Sequence, residues 1–516
     1  MNESTETLQA DICVIGSGFG GSMLAKRLLE AGRSVVMLER GNWVQRGPHN
    51  WAPDGTVDKT EYYSKASAYR VAVGGNEPMM GAYNCVGGPS VFYGAVSLRF
   101  REQDFEQNPQ ICKESSANWP FRYKDIEAYY TEVETILDIA GERGTDPTDP
   151  EASGPYPQRP APLSQISSLL ARAGAELGRQ PFQLPLAINY RAGYRQCQLC
   201  STCDTYACAV SAKNDLATVV LPQLKYSGMT LRHGAVVRRL VRKGERIVSA
   251  EFVDRDSKAI GVVKAKHFVL SAGALGTPHL LLASGLSALN PAGELVGQYL
   301  MRHINAIIFG LFPRVPAPLD RFHKQLGFHD FYFGHPEHPE LNKLGGLQQI
   351  HSPPIELIKM HVGAMGALLG PVARRMTGLL AMAEDQPQQQ NGVRLNRTTT
   401  DFFGLPQLVI RHDYTSRDLR VLNILAKEAK RILRCAGARL FYTHHIRTFS
   451  HACGTVRMGR DPKQNPADEF GGFRGLQNLT ISDASLFPTS AAVNPSLTIS
   501  ANALRIGDYL IEKGVV

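Results

Sequence analysis

Close to its N-terminus the chain carries a strand, a glycine-rich turn, a helix and a second strand in the order that builds a nucleotide-phosphate cradle. Asp11-Ile-Cys-Val-Ile15 reads as a buried parallel strand. Gly16, Gly18 and Gly21 then give G-x-G-x-x-G. The stretch from Ser22 to Gly32 has helical spacing and ends at a glycine, and Ser34 to Glu39 is a second strand with an acid at its end. The glycines permit a tight turn and close backbone approach, and the helix N-terminus faces a pyrophosphate. Glu39 is placed to accept hydrogen bonds from a ribose. The plainer reading is a glycine-rich turn in an ordinary α/β unit. It is disfavoured because strand, helix, strand and acid all fall in register. No second G-x-G-x-x-G follows a strand, so a separate NAD domain is not expected.

Almost a chain length away stands His451-Ala-Cys-Gly-Thr-Val-Arg-Met-Gly459, then Asp483-Ala-Ser, then Asn494-Pro-Ser-Leu-Thr-Ile. Removing a proton from an alcohol calls for a base of near-neutral pKa, and histidine suits that task. A single histidine among 15 is ordinarily a surface or core residue. His451 is singled out by the motif around it. An asparagine cannot act as a base, but its amide can hold a substrate oxygen. Asn494-Pro495 opens a helix-like run from Ser496 to Leu510, whose N-terminus would favour negative charge close by.

Taken together, these segments resemble the glucose–methanol–choline (GMC) family of FAD-dependent oxidoreductases, in its bacterial branch. Ala82 to Gly94, with Gly87, Gly88, Ser90 and Tyr93, resembles the family's flavin-contact segment. Lys266 to Pro278, with Ala272, resembles its second signature, and Val236 falls at the position that packs near adenine. Trp119 to Tyr130 and Ala383 to Pro387 also read like bacterial members, and the loosest match runs from Arg314 to Arg375.

The resemblance implies an α/β chain: a Rossmann-like FAD-binding domain with an inserted α+β substrate-binding domain built on an antiparallel sheet. The expected FAD-binding parts are 1–110, 210–300 and 445–516, with 111–209 and 301–444 over the flavin. It implies oxidation of an alcohol by hydride transfer to flavin N5, with His451 as base and Asn494 as its partner. Gly16, Gly18, Gly21, Glu39, Gly87, Gly88, Ser90, Tyr93, Val236, Ala272, Asp483, Asn494 and Pro495 would hold FAD. Pro89 to Tyr93 stands where some relatives offer a histidine, so non-covalent FAD is expected. His303 recurs across the family and reads as structural, as do His444 and His445.

The expected substrate is a sugar, sterol or other hydroxylated metabolite, and the expected electron acceptor is oxygen, a quinone or a cytochrome. A family lyase without net redox and a non-catalytic flavoprotein subunit are the competing functions.

Cys197, Cys200, Cys203 and Cys208 give C-x2-C-x2-C-x4-C before Ala212-Lys213-Asn214. Such spacing could hold an iron–sulfur cluster or zinc, or remain as plain thiols or local disulfides. The last gap and Ala209 depart from the bacterial ferredoxin pattern. Nine cysteines among 516 residues do not make a disulfide scaffold.

The net charge of +9 is scattered, without a basic run or a nucleic-acid motif, so no nucleic-acid partner is expected. The first strand begins too near Met1 to leave room for a secretory signal, and no apolar stretch is long enough to span a bilayer. A cytoplasmic protein is expected. Gly154 to Pro162 reads as an extended connector, and Lys359 to Ala383 as an apolar packing segment with membrane contact as the less favoured alternative.

Overall fold

The computed structural model describes residues 6–72, 79–112, 114–317, 324–350 and 370–516. The first strand, Glu6–Ile15, runs between two parallel neighbours, Val35–Leu38 on one side and Ile260–Leu270 on the other. Flanked on both sides, its last four residues are fully buried, which is why Ile12 to Ile15 is a continuous apolar run. The strand starts earlier than the apolar run because Glu6 to Ala10 still pair with Gly261 to Ala265.

Thr230–Arg232 extends the sheet beyond Val35–Leu38, and Leu479–Ile481 pairs parallel with Phe268 to Leu270. The other end of Ile260–Leu270 pairs antiparallel with Arg246–Asp254, which in turn pairs with Ala235–Lys243. The result is a seven-stranded Rossmann-like sheet with an antiparallel flap. Its crossover helix, Phe19–Glu30, packs against the C-terminal helix Ser496–Glu512. The helix starts at Phe19, ahead of the Ser22 start read from the sequence, because Gly18 is the residue that caps it.

A second sheet of six antiparallel strands has the order Leu440–His445, Ile304–Leu311, Met376–Ala383, Gly346–Ile350, Leu326–Phe328, Pro181–Gln183. Helices Gln165–Glu176 and Ser416–Cys435 cover one face. Ser416–Cys435 is set by a Thr415/Asp418 capping box and buries Val421, Leu425, Ala429 and Ile432 at helical spacing. The apolar run Met376–Ala383 is a central strand of this sheet, and its composition follows from packing. The rest of the run, 359–369, lies outside the described residues.

A smaller sheet joins Tyr63–Ala72 and Met79–Tyr83 to Gly392–Thr400 and Pro406–Arg411, so it links strands from both expected parts of the chain. Among the described residues no helix is long and apolar enough to cross a membrane.

Candidate active site

The glycine turn opens onto a cavity of about 310 Å³ lined by Gly16, Gly18, Glu39, Gly88, Val236, Ala272, Asp483, Pro495 and His451, among others. Three glycines of the turn are demanded by the protein itself. Gly16 has φ +106°, and a Cβ there would stand 2.3 Å from the Ser271 carbonyl oxygen. A Cβ on Gly20 would meet Ser482 O at 1.6 Å, and one on Gly21 would meet Gly16 O at 2.1 Å. Gly18 differs, because a Cβ there meets no protein atom within 4 Å. Its missing side chain therefore leaves room at the cavity wall and does not serve packing.

Helix Phe19–Glu30 has no side-chain cap and no acid in its first turn, and neither has Ser496–Glu512. Both helices begin at cavity-lining residues, Gly18 and Pro495. Their free N–H groups make the cavity attractive to anions. Glu39 ends the second strand. Its Oε2 takes the Ser17 N–H and hydroxyl at 3.0 and 2.6 Å, and its Oε1 takes only the Gly41 N–H at 2.9 Å, which leaves acceptor capacity. The Ser271 hydroxyl lines the cavity, buried and without a protein partner. A glycine floor, uncapped helix starts, a buried carboxylate and an unpartnered hydroxyl fit a dinucleotide such as FAD.

Gly87, Ser90 and Tyr93 hold the wall in place from behind, and the lining residue Asp483 braces it. The Gly87 N–H donates to Ser17 Oγ at 2.9 Å, at φ +89°. Ser90 Oγ donates to Gly87 O and accepts from Leu216 N. Tyr93 is packed by its ring against Phe19. Asp483 takes the Gly273 and Ser485 N–H groups and the Thr277 hydroxyl, tying helix Gly273–Ala283 to the loop before Ala484.

At the other end of the cavity His451 meets His303, with their Nδ1 atoms 3.0 Å apart. The other nitrogen of His303, Nε2, lies 2.9 Å from the Ser490 carbonyl oxygen. A carbonyl only accepts, so His303 Nε2 carries a proton. Burial lowers the pKa of His303 and leaves its ring neutral, with Nδ1 as a lone pair. His451 must then donate from Nδ1, and its Nε2 is bare. Burial holds the His451 pKa well below the ordinary histidine value, with the nearby His303 and Lys324 acting in the same sense.

His303 is a contact of His451 as well as a structural residue, which extends the role read from the sequence. It is held at φ +62°, an uncommon backbone conformation for a side-chain-bearing residue. Its N–H donates to Asp385 Oδ1 at 3.0 Å and its carbonyl accepts from Tyr414 OH at 2.8 Å. Asp385 also takes the Arg302 N–H and the Ser490 hydroxyl, so one buried carboxylate joins the two loops that bear His303 and Asn494.

The loop from Ser490 to Asn494 rests on a buried polar network. The Ala491 N–H donates to Glu384 Oε1 and the Ala492 N–H to Tyr332 OH, each at 3.1 Å. Glu384 is pushed up to about 7 by burial, although Lys343 lies 3.8 Å away. Asn494 itself accepts a hydrogen bond at Oδ1 from Gln348 Nε2 at 2.8 Å.

The cysteine loop lies beside this site, and among the described residues its thiols are not gathered closely enough for zinc. Among the described residues the group of His, Cys, Asp or Glu ligand atoms within 4.8 Å of one another is His335, Glu337 and His338, not the four thiols. A single tetrahedral zinc would need its sulfurs closer than that. Burial pushes the Cys197 thiol up to about 12 and raises that of Cys203 as well. The loop is organised by Lys213, whose buried Nζ donates to the carbonyls of Val91, Tyr93, Cys203 and Tyr206.

Four contributors escaped the sequence reading: Gly20, Asp385, Lys213 and Gln348. Asp385 and Lys213 lay in segments noticed only for their resemblance. A pair of glutamines inside the strand Gly346–Ile350 was the available signal for Gln348.

GMC oxidoreductase family models match residues 10–305 and 387–503. The chain is 30% identical to 6'''-hydroxyparomomycin C oxidase of Streptomyces lividus, over 96% of this chain and 90% of that one. It is 27% identical to 2-methyl-1,2-propanediol dehydrogenase of Mycolicibacterium austroafricanum, over 98% and 96%. Among solved structures, pyridoxine 4-oxidase from Mesorbium loti is similar with a TM-score of 0.65 at 21% identity, covering 97% of this chain and 98% of that one. A formate oxidase is similar with a TM-score of 0.71 at 15% identity, covering 99% and 100%. At these identities the structures speak for the fold.

Proposed function

Because this chain belongs to the GMC oxidoreductase family, and so is an FAD-dependent oxidoreductase of CH–OH donors, we propose that His451 is its base and that its substrate is a small, sugar-like hydroxylated metabolite. The observation that carries this reading is the His303–His451 hydrogen bond. It makes Nδ1 of His451 a donor and leaves Nε2 as the one nitrogen able to take a proton.

The glycine turn, Glu39 and the two uncapped helix starts would hold FAD non-covalently, and it would supply the acceptor for the hydride from the carbinol carbon. The chain's own residues do the rest. Nε2 of His451 takes the hydroxyl proton. The positive charge that then forms on the ring is shared with His303 across the 3.0 Å contact. Asn494 holds the substrate oxygen, and the start of helix Ser496–Glu512 favours negative charge beside it. The sugar-like substrate is supported by the names of two relatives, the hydroxyparomomycin oxidase and a paromamine 6'-oxidase of Streptomyces fradiae that is 29% identical.

The test is anaerobic mixing with paromamine, fructose, pyridoxine and 2-methyl-1,2-propanediol, following loss of the flavin's visible absorption band. Reduction by one of them, lost in His451→Ala while FAD stays bound, is the expected result. A flavin that every alcohol leaves oxidised would point to the lyase or the non-catalytic subunit. Reoxidation of the reduced protein by oxygen, a quinone or a cytochrome then identifies the acceptor.

A further inference from the structure

We infer that Gln348 makes Asn494 a hydrogen-bond donor toward the substrate oxygen, and is therefore a positioning residue for the alcohol. The inference rests on the roles of His451 and Asn494 proposed above. An asparagine amide is nearly symmetric in shape and opposite in function at its two ends: NH2 donates and the carbonyl accepts. An oxygen that is losing its proton is stabilised by the first and repelled by the second. Some neighbour must therefore decide which end faces the alcohol.

Gln348 is placed to decide it. It is only 1% exposed, on the central strand Gly346–Ile350, paired with Leu380 of the next strand. Its Nε2 donates to Asn494 Oδ1 at 2.8 Å, which engages the accepting end of Asn494 and not its NH2 end, next to the cavity-lining Pro495. The neighbouring Gln349 serves the opposite face of the sheet. Its Oε1 takes the Ser167 hydroxyl and the Gln325 N–H, so it belongs to the helix-side packing. The strand thus sets one amide on each face, that of Gln349 toward the helices and that of Gln348 toward Asn494.

The reverse pairing is disfavoured by the same surroundings. In the arrangement observed, the atom of Gln348 without a protein partner is its carbonyl Oε1. Turning both amides over would bury an unpartnered NH2 in its place. Two orphan N–H groups then stand where one N–H and one carbonyl stand now, and buried orphan donors are the rarer case in folded proteins.

Gln348→Glu turns this into a pH-dependent property. While the introduced carboxyl is protonated it can still donate to Asn494 Oδ1. Once ionised it can only accept, so it draws the Asn494 NH2 toward itself and presents the carbonyl to the alcohol. Burial puts that ionisation above the ordinary carboxylate range. Gln348→Met removes the donor at every pH.

The probe is 2,2,2-trifluoroethanol, an acidic alcohol titrated onto the FAD-loaded protein and read by perturbation of the flavin band. Reduction rates with the alcohol that reduces the parent are measured alongside. In Gln348→Glu, trifluoroethanol affinity should fall about ten- to hundredfold as pH rises through one new ionisation, the worth of one hydrogen bond to a charged oxygen. The step should be absent in the parent, in Gln348→Met, which is weakened uniformly, and in Gln348→Glu combined with Asn494→Ala. Gln348→Glu with the parent's pH profile would overturn the inference. So would a step that persists without Asn494, since it would report direct repulsion by the new charge. His451→Ala separates the two levels: if it reduces at the parent rate, the base assignment falls and takes this inference with it, whereas a slow His451→Ala beside a parent-like Gln348→Glu removes the role of Gln348 alone.

Discussion

Replacing His303 by leucine should slow flavin reduction about two- to tenfold while FAD remains bound, and the figure follows from the contact it removes. His303 Nδ1 accepts from His451 Nδ1 at 3.0 Å. Between two neutral rings that bond contributes about 0.5–1.5 kcal/mol, and it does so before and after substrate binds. Once Nε2 of His451 has taken the alcohol's proton the donor is a cation, and such bonds are roughly twice as strong. The difference between the two states, of the order of 0.5–1.5 kcal/mol, is what the rate loses.

Leucine also leaves the Ser490 carbonyl without its partner. His303→Asn is the control. Asparagine tolerates the backbone conformation of His303, and its carbonyl can stand where Nδ1 stands now, so reduction should stay at about the parent rate. The assay is anaerobic stopped-flow reduction with FAD content measured on the same samples. A His303→Leu protein that holds FAD and reduces it at the parent rate would refute the reasoning, because the tautomer of His451 would then not depend on its neighbour.

Three further outcomes are expected. Gly18→Val should fold and lose FAD, because its Cβ meets no protein atom, whereas Gly16→Val should fail to fold against Ser271; circular dichroism and flavin content separate the two. Acid should destabilise the protein as pH falls below about 6.5, the ordinary histidine value. Burial lowers His267 to about 4 and depresses His279, His303, His329 and His451 as well. The unfolded chain then takes up protons that the folded rings refuse, so stability is intact above the unfolded value and is lost as pH falls toward the folded ones. His267 alone contributes on the order of 3 kcal/mol, and a melting temperature unchanged between neutral pH and the folded value of His267 would contradict this. Lys213→Met should cost about 3–5 kcal/mol in chemical denaturation, because it strips a buried cation from four carbonyl oxygens at once; a loss below about 1 kcal/mol would show that the cysteine loop is held by something else.

What could be read from the sequence was local or carried by a motif. The strand–turn–helix–strand cradle is contiguous, so glycine conformation, helix spacing and the terminal acid Glu39 fall in one readable run. His451 and Asn494 were legible because motif residues surround each of them. Even there the sequence left the reasons open. Gly16 and Gly18 look alike as letters, yet one is required by the Ser271 backbone and the other by the cavity.

The rest depends on contacts between residues far apart in the chain. His303 and His451 are 148 residues apart, Gln348 and Asn494 146, and Lys213 reaches back 122 to Val91. No periodicity or spacing encodes such pairs. The family pattern drew attention to His303 and could not say what it touches, and Gln348 sits where that pattern is loosest. Hydrogen bonding is directional and short-ranged, so which nitrogen of His451 carries the proton and which end of Asn494 Gln348 engages were decided only by the tertiary fold, which pairs the strand after His303 with the strand before His451.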